Sequence, residues 1–226
     1  MAGQRVTTRT RIGGAALIDR VLAVAVRLPV RGVAAANGVV IALLGVLGVL
    51  SIVSGSPFGI FDLDGERNVP ATYTAALLFS VAVLAFLVGR IDPAPGLPQL
   101  WVGLSALFLF VSADEFGEIH ERLERITGID WQILYSPIAV LALVLWLFVA
   151  RWLRQIGAGF WLLVVGTACG IASQVAEAVE YGPGDKRIAA FDELMVFEEL
   201  LEMVEALLIG LALLTALQAL YRRARA

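Results

Sequence analysis

The chain has 226 residues, of which 59% are hydrophobic and 16% charged, with a net charge of −3 and a mean hydropathy of +0.85. These values lie far outside those of soluble domains, and they exclude a water-soluble globular protein, a disordered tail and a collagen-like repeat. Cys169 is the only cysteine, so a disulfide scaffold is excluded as well. The composition therefore indicates a helical membrane protein.

The first hydrophobic segment, Ala15–Val30, is interrupted by Asp19, Arg20 and Arg27. Because these charges make it too polar to cross a bilayer, it predicts an interfacial amphipathic helix within a cytoplasmic N-terminal segment, residues 1–33. The segment lacks the cleavage-site pattern of a signal peptide, so we expect it to be retained.

Six later apolar runs approach the roughly 20 residues that cross a hydrocarbon core of about 30 Å. They are Ala34–Gly55, Ala71–Gly89, Leu97–Ala113, Ile133–Ala150, Ala158–Ala176 and Met203–Leu220. Turn and breaker residues separate them over short distances. The predicted fold is therefore all-α, a polytopic membrane bundle of six transmembrane helices in residues 34–226, preceded by the amphipathic helix.

The basic residues predict the orientation of this bundle. Of the 17 Lys and Arg residues, 12 fall on one side of the six spans, and five fall on the other: Arg67, Arg122, Arg125, Lys186 and Arg187. Since cytoplasmic loops carry the excess of Lys and Arg, we expect a multi-pass protein of the cell (inner) membrane with both termini in the cytoplasm.

The acidic residues concentrate on the opposite side, around the outer ends of the third, fifth and sixth spans. The third span ends in Asp114-Glu115-x-x-Glu118-x-x-Glu121, and the sixth begins with Glu198-Glu199-x-x-Glu202-x-x-Glu205. On a continuous helix each set of three acids (Asp114, Glu118 and Glu121; Glu198, Glu202 and Glu205) falls within about 60°. We therefore expect two antiparallel three-acid stripes, with Glu177 and Glu180 of the fifth span beside them.

The length of the sixth span indicates that some of these acids enter the membrane. After Glu205 the uncharged run has 15 residues, about 22 Å of helix against a core of about 30 Å. Intramembrane acids usually face the bundle interior, where they repel one another unless they carry protons or bind a cation.

Carboxylate oxygens suit hard divalent cations, so we predict a bound metal ion, Ca²⁺, Mg²⁺, Mn²⁺ or iron. The predicted ligands are Asp114, Glu115, Glu118, Glu121, Glu180, Glu198, Glu199, Glu202 and Glu205. The alternative interpretation is a solvated surface, in which Arg122 and Arg125 neutralise neighbouring acids as ion pairs.

His120 is the only histidine, and on a continuous helix it would project beside Glu124, away from the acid stripe. We expect it to act as a hydrogen-bonded or proton-transfer residue, together with Glu177, rather than as a metal ligand. Gly117 stands where a helical dimetal site would place the Glu of its Glu-x-x-His pair, which weakens the analogy to di-iron proteins.

Other functional motifs are absent from the sequence. It has no phosphate-binding glycine loop, no His-Glu-x-x-His and no order that would complete a Ser-His-Asp triad. Cys169 is interpreted as a small packing residue. Nothing in the sequence indicates nucleic-acid binding.

At Ser112-Ala113-Asp114-Glu115, Ile119-His120-Glu121 and Glu198-Glu199-Leu200-Leu201-Glu202 the chain resembles a group of uncharacterised bacterial polytopic membrane proteins. These pair an S-x-D-E...I-H-E stretch with a later E-E-x-x-E. The resemblance covers the third to sixth spans and implies that the acids form one site, without implying a reaction.

The leading functional hypothesis is a metal-dependent membrane enzyme, an oxidoreductase or a hydrolase, acting on a lipid-like or quinone-like substrate in the outer leaflet. A divalent-cation transporter or channel is the second hypothesis. A structural or sensory membrane subunit, whose acids contact a second copy or a partner subunit, is the third.

Overall fold

The computed structural model describes residues 15–54, 58–63, 65, 67–92, 98–182, 186–187 and 192–226. Helix α1 covers residues 15–25. The following helices are α2 (Val30–Ser54), α3 (Val69–Ile91), α4 (Pro98–Gly117), α5 (Ile119–Thr127), α6 (Trp131–Ile156), α7 (Phe160–Glu180) and α8 (Asp192–Arg223). A 3-10 turn, Phe58–Phe61, follows α2, and the two-residue strands β1 (Tyr181–Gly182) and β2 (Lys186–Arg187) pair antiparallel after α7.

Six of these helices, α2, α3, α4, α6, α7 and α8, are long and apolar enough to cross a membrane. This finding confirms the predicted helical class and the predicted number of candidate spans among the described residues. Local sequence explains where several of them start and stop. Asn68 caps α3 by accepting a hydrogen bond of 3.0 Å from the Ala71 amide, and Gly157 ends α6 in the left-handed conformation that glycine tolerates.

Helix α8 lies at the centre of the bundle and contacts α2, α3, α6 and α7. Its inward residues Met203, Ala212, Ala216 and Leu217 are fully buried. The most extensive contacts join α7 to α8 and α3 to α4, whereas α6 meets α4, α7 and α8 only over short stretches. Helix α6 thus stands partly apart from the other spans, and this separation shapes the site described below.

Helix α1 packs onto the same core, since its last residue, Ala25, is buried with residues of α8. The Gln218 side chain of α8 donates a 2.8 Å hydrogen bond to the Leu28 carbonyl just beyond α1. A helix covers residues 15–25 of the predicted segment Ala15–Val30, whereas its amphipathic character and its interfacial location stay predictions. Helix α2 begins at Val30, four residues before the predicted start of the first span.

The expectation of one continuous acidic helix at the end of the third span is wrong. Helix α4 ends at Gly117, Glu118 takes a left-handed conformation with φ 55°, and α5 begins at Ile119. The Asp114 side chain accepts a 2.8 Å hydrogen bond from the His120 amide and so stabilises the start of α5. Because the chain turns at Glu118, Asp114, Glu118 and Glu121 do not share one helix face.

Candidate functional site

A cavity of about 650 Å³ lies between α3, α4, α6, α7 and α8. Its walls are mostly apolar, with Phe108 of α4 and Trp146 of α6 as the aromatic members. Three carboxylic acids also line it, Glu115 from α4 and Glu202 and Glu205 from α8. The volume falls within the roughly 300–1,000 Å³ typical of small-molecule sites.

The helical period explains why the α8 acids face this cavity. Glu202 and Glu205 lie three residues apart, on the same face as the cavity-lining residues Ala206, Ile209 and Leu213. The two acids therefore continue an apolar stripe towards the start of α8. This arrangement makes one end of the cavity acidic and the other end apolar.

The carboxylate of Glu202 is held by helix α7. The hydroxyl of Ser173, which is fully buried, donates a 2.9 Å hydrogen bond to Glu202 Oε1. Glu177, one turn further along α7, lies within electrostatic range of Glu202 and hydrogen-bonds with Gln174. The contact between α7 and α8 thus brings together two acids that the sequence analysis placed in the site.

Glu205 lies against a glycine of α7. A Cβ atom on Gly170 would overlap the Glu205 carboxyl group, and one on Gly166 would lie 3.1 Å from the Leu208 Cβ. Glycines four residues apart allow two membrane helices to approach closely. This Gly-x-x-x-Gly spacing is a signal that the sequence analysis did not use, and it could have predicted which face of α7 meets α8.

The other polar groups of the cavity wall are engaged within the protein. The Trp146 Nε1 donates a 2.6 Å hydrogen bond to Thr167 Oγ1, and Thr167 in turn donates to the Leu163 carbonyl at 2.9 Å. Thr74 donates to the Pro70 carbonyl at 3.2 Å. Among the described residues that line the cavity there is no Lys, Arg or His, so all the ionisable groups of that wall are acids.

Asp114 belongs to a separate cluster. It is only 8% exposed, and Oδ1 accepts hydrogen bonds from the His120 amide and from the Tyr135 hydroxyl at 3.0 Å. Asp114 Oδ2 lies 3.2 Å from His120 Nδ1. The ring of His120 is 5.6 Å from that of Trp131. His120 and Glu124 lie one turn apart on α5, as expected, but the expectation that His120 lies away from the predicted acids is wrong because its ring contacts Asp114. Tyr135 and Trp131 could not be predicted from the sequence around His120 because they lie on another helix, α6.

Glu118 and Glu121 form ion pairs at the surface end of α5. Glu118 pairs with Arg67 at 2.9 Å and with Arg125 at 3.7 Å, and Glu121 pairs with Arg125 at 3.5 Å. Arg67, like Glu118, has a positive φ of 56°. These contacts match the ion-pair alternative that the sequence left open for Arg125.

The structure therefore brings together only part of the predicted set. Glu177, Glu202 and Glu205 lie near one another, Glu115 lines the same cavity, and His120 is within electrostatic range of Glu177 and Glu202. Glu198 and Glu199 are partly buried on α8 but do not line the cavity. Glu180 ends α7, and its side chain lies outside the described residues.

The described part of the chain contains no group of three or more His, Cys, Asp or Glu residues arranged to hold a metal ion. Coordination would thus require the acids near Glu202 to move closer together than they are. The divalent metal remains a prediction.

Comparison with known proteins identifies the family of the chain. No curated protein and no solved structure matches it. The family described as Domain of unknown function (DUF8692) matches residues 32–217, a range that includes every residue lining the cavity. The chain therefore belongs to the DUF8692 family.

Proposed function

We propose that this membrane protein binds a lipid-like or quinone-like molecule inside the bundle, in the cavity between α3, α4, α6, α7 and α8. The observation that carries the proposal is a mostly apolar cavity of about 650 Å³ with three glutamates on its wall. An elongated amphiphile matches that arrangement, its apolar part against α4 and α6 and its polar head at Glu202 and Glu205.

The exposure of two lining residues supports access from the bilayer. Leu143 of α6 is 58% exposed and Ile171 of α7 is 62% exposed, although both line the cavity. Lining residues on the opposite wall, such as Leu104 and Leu213, are buried. Since α6 makes only short contacts with α7, a molecule dissolved in lipid would enter between these two helices without passing through water.

Cavity-filling variants test this proposal. In lipid nanodiscs, a photoreactive probe with a ten-carbon chain should label lining residues of the wild-type protein, as located by mass spectrometry. Replacing the lining residue Ala206 or Ala142 by Phe should remove that labelling because the added ring occupies the space. Phe at Ala106, which is exposed on α4, is the matched control and should leave it intact. Equal labelling in all four proteins would refute binding in the cavity.

Metal-dependent catalysis is the second candidate, and the proximity of Glu177 to Glu202 favours it. In this version Glu177, Glu202 and Glu205 hold a Ca²⁺, Mg²⁺, Mn²⁺ or iron ion beside the bound molecule, and His120 transfers protons. A ligand specific for the folded protein stabilises it by about 2.7 kcal/mol at a hundredfold excess over Kd. In a thermal-shift series with these ions, at least one ion should therefore raise the midpoint temperature of unfolding. If no ion raises it, metal-dependent catalysis is refuted, while binding of the lipid-like molecule in the cavity is not.

The orientation in the membrane is also a proposal. The split of 12 against five basic residues places both termini in the cytoplasm of a cell membrane, with Asp62, Asp130 and Asp185 outside. Cysteine substitutions at these three positions should react with an impermeant reagent added from outside, whereas one at Arg90 should not. The reverse pattern would overturn this topology.

A further inference from the structure

We propose that the molecule held in this cavity is a cationic amphiphile, with an apolar chain and a positively charged amine or ammonium head seated at Glu202 and Glu205. The inference rests on the proposed function and adds the chemical class of the ligand head.

The charge of the cavity wall is the first argument. Its described ionisable residues are Glu115, Glu202 and Glu205, with no Lys, Arg or His among them. The hydroxyls of Thr74 and Thr167 already donate to backbone carbonyls. An anionic head such as a phosphate would thus meet acids and occupied donors, whereas a cation would meet complementary charge.

The arrangement of the acids around Glu202 is the second argument. Ser173 donates to Glu202 Oε1, so this carboxyl group is held as a hydrogen-bond acceptor. Glu205 lies one turn further along α8, against Gly170, and Glu177 is within electrostatic range on α7. Charges of one sign repel strongly in a medium of low dielectric constant. A single positive head at this place reduces the repulsion among all of them.

The surrounding lipid makes the head the selective part of the ligand. An apolar chain gains little by moving from lipid tails to a Leu-rich wall, because the two environments are equally apolar. Selection among membrane molecules must therefore come from the polar end of the cavity. There a charge-assisted hydrogen bond contributes about 1.5–3 kcal/mol, which corresponds to roughly 10- to 150-fold in affinity.

Three competitors with the same chain separate the effect of head charge from that of chain burial. The competitors are decylammonium as the cation, decanol as the neutral compound and decyl sulfate as the anion. Decylammonium is chosen over a quaternary ammonium because its head can donate hydrogen bonds to the carboxylates. Each is titrated against the ten-carbon photoreactive probe on the full-length protein in nanodiscs, with empty nanodiscs correcting for partition into lipid. We expect decylammonium to compete at least about tenfold better than decanol, and decyl sulfate to compete least.

Removing the acidic charge should abolish this preference. In the Glu202→Gln variant and in the Glu205→Gln variant, decylammonium should compete no more than about twofold better than decanol. Glu124→Gln is the matched control because Glu124 lies outside the cavity, and this variant should keep the wild-type preference for decylammonium. Wild-type competition by decanol or decyl sulfate equal to that by decylammonium would overturn the inference while leaving cavity binding in place. If none of the three compounds competes with the probe, and if Ala206→Phe leaves probe labelling unchanged, the proposed function itself would be refuted. The wild-type comparison decides the question even if a variant does not fold.

Discussion

Replacing Gly159 by Ala tests the close approach of α7 to α8. Gly159 precedes α7 with φ 81°, and a Cβ atom there would overlap the backbone carbonyl of Ala212 in α8. Ala212 is fully buried, so it has no free space into which to move. The left-handed conformation costs a residue other than glycine about 1–2 kcal/mol, and overpacking a close contact adds about 1–3 kcal/mol. The expected loss in the free energy of unfolding is therefore about 2–5 kcal/mol.

Gly157→Ala is the matched control. Gly157 also has a positive φ, 71°, but a Cβ atom added to it would meet no heavy atom within 4 Å. Gly157→Ala should therefore lose only the conformational part of the free energy of unfolding, about 1–2 kcal/mol. Reversible unfolding of the purified protein in mixed detergent micelles measures both variants, and Gly159→Ala should be the less stable by at least about 1 kcal/mol. Equal losses would show that α7 and α8 do not meet at this point as described.

Three further variants test individual contacts. Ser173→Ala removes the hydrogen-bond donor to Glu202 and should lower the free energy of unfolding by about 1–3 kcal/mol; no loss in the micelle assay would argue against this contact. Met203→Ala empties a fully buried position of α8 and should cost about 2–5 kcal/mol, and a cost below about 1 kcal/mol would place Met203 at a lipid-facing surface. Gln218→Ala removes the donor to the Leu28 carbonyl and should speed amide hydrogen exchange in α1 without changing probe labelling in the cavity. Unchanged exchange would mean that burial of Ala25 alone holds α1 in place.

The sequence by itself determined the membrane class, the number of spans and many of their ends. These follow from local quantities, because about 20 apolar residues in a row suffice to identify a span wherever it packs. Caps such as Asn68 and Gly157, which the structure shows, act within their own helix and are therefore local as well. Two of the acids that line the cavity, Glu202 and Glu205, were also placed correctly on one face, because α8 is continuous through both.

Only the tertiary structure decided which acids meet. The spacing of Asp114, Glu118 and Glu121 suits one helix face, yet the turn at Glu118 separates them. That turn brings His120 onto Asp114. At the turn Glu118 forms ion pairs with Arg67, which is remote in sequence, and with Arg125, which lies after the turn on α5. The cavity likewise depends on the distance between α6 and α8. The spacing of apolar residues along either helix does not predict that distance. Periodicity specifies the face of a helix, whereas the neighbour of that face is decided by packing between helices that are remote in sequence.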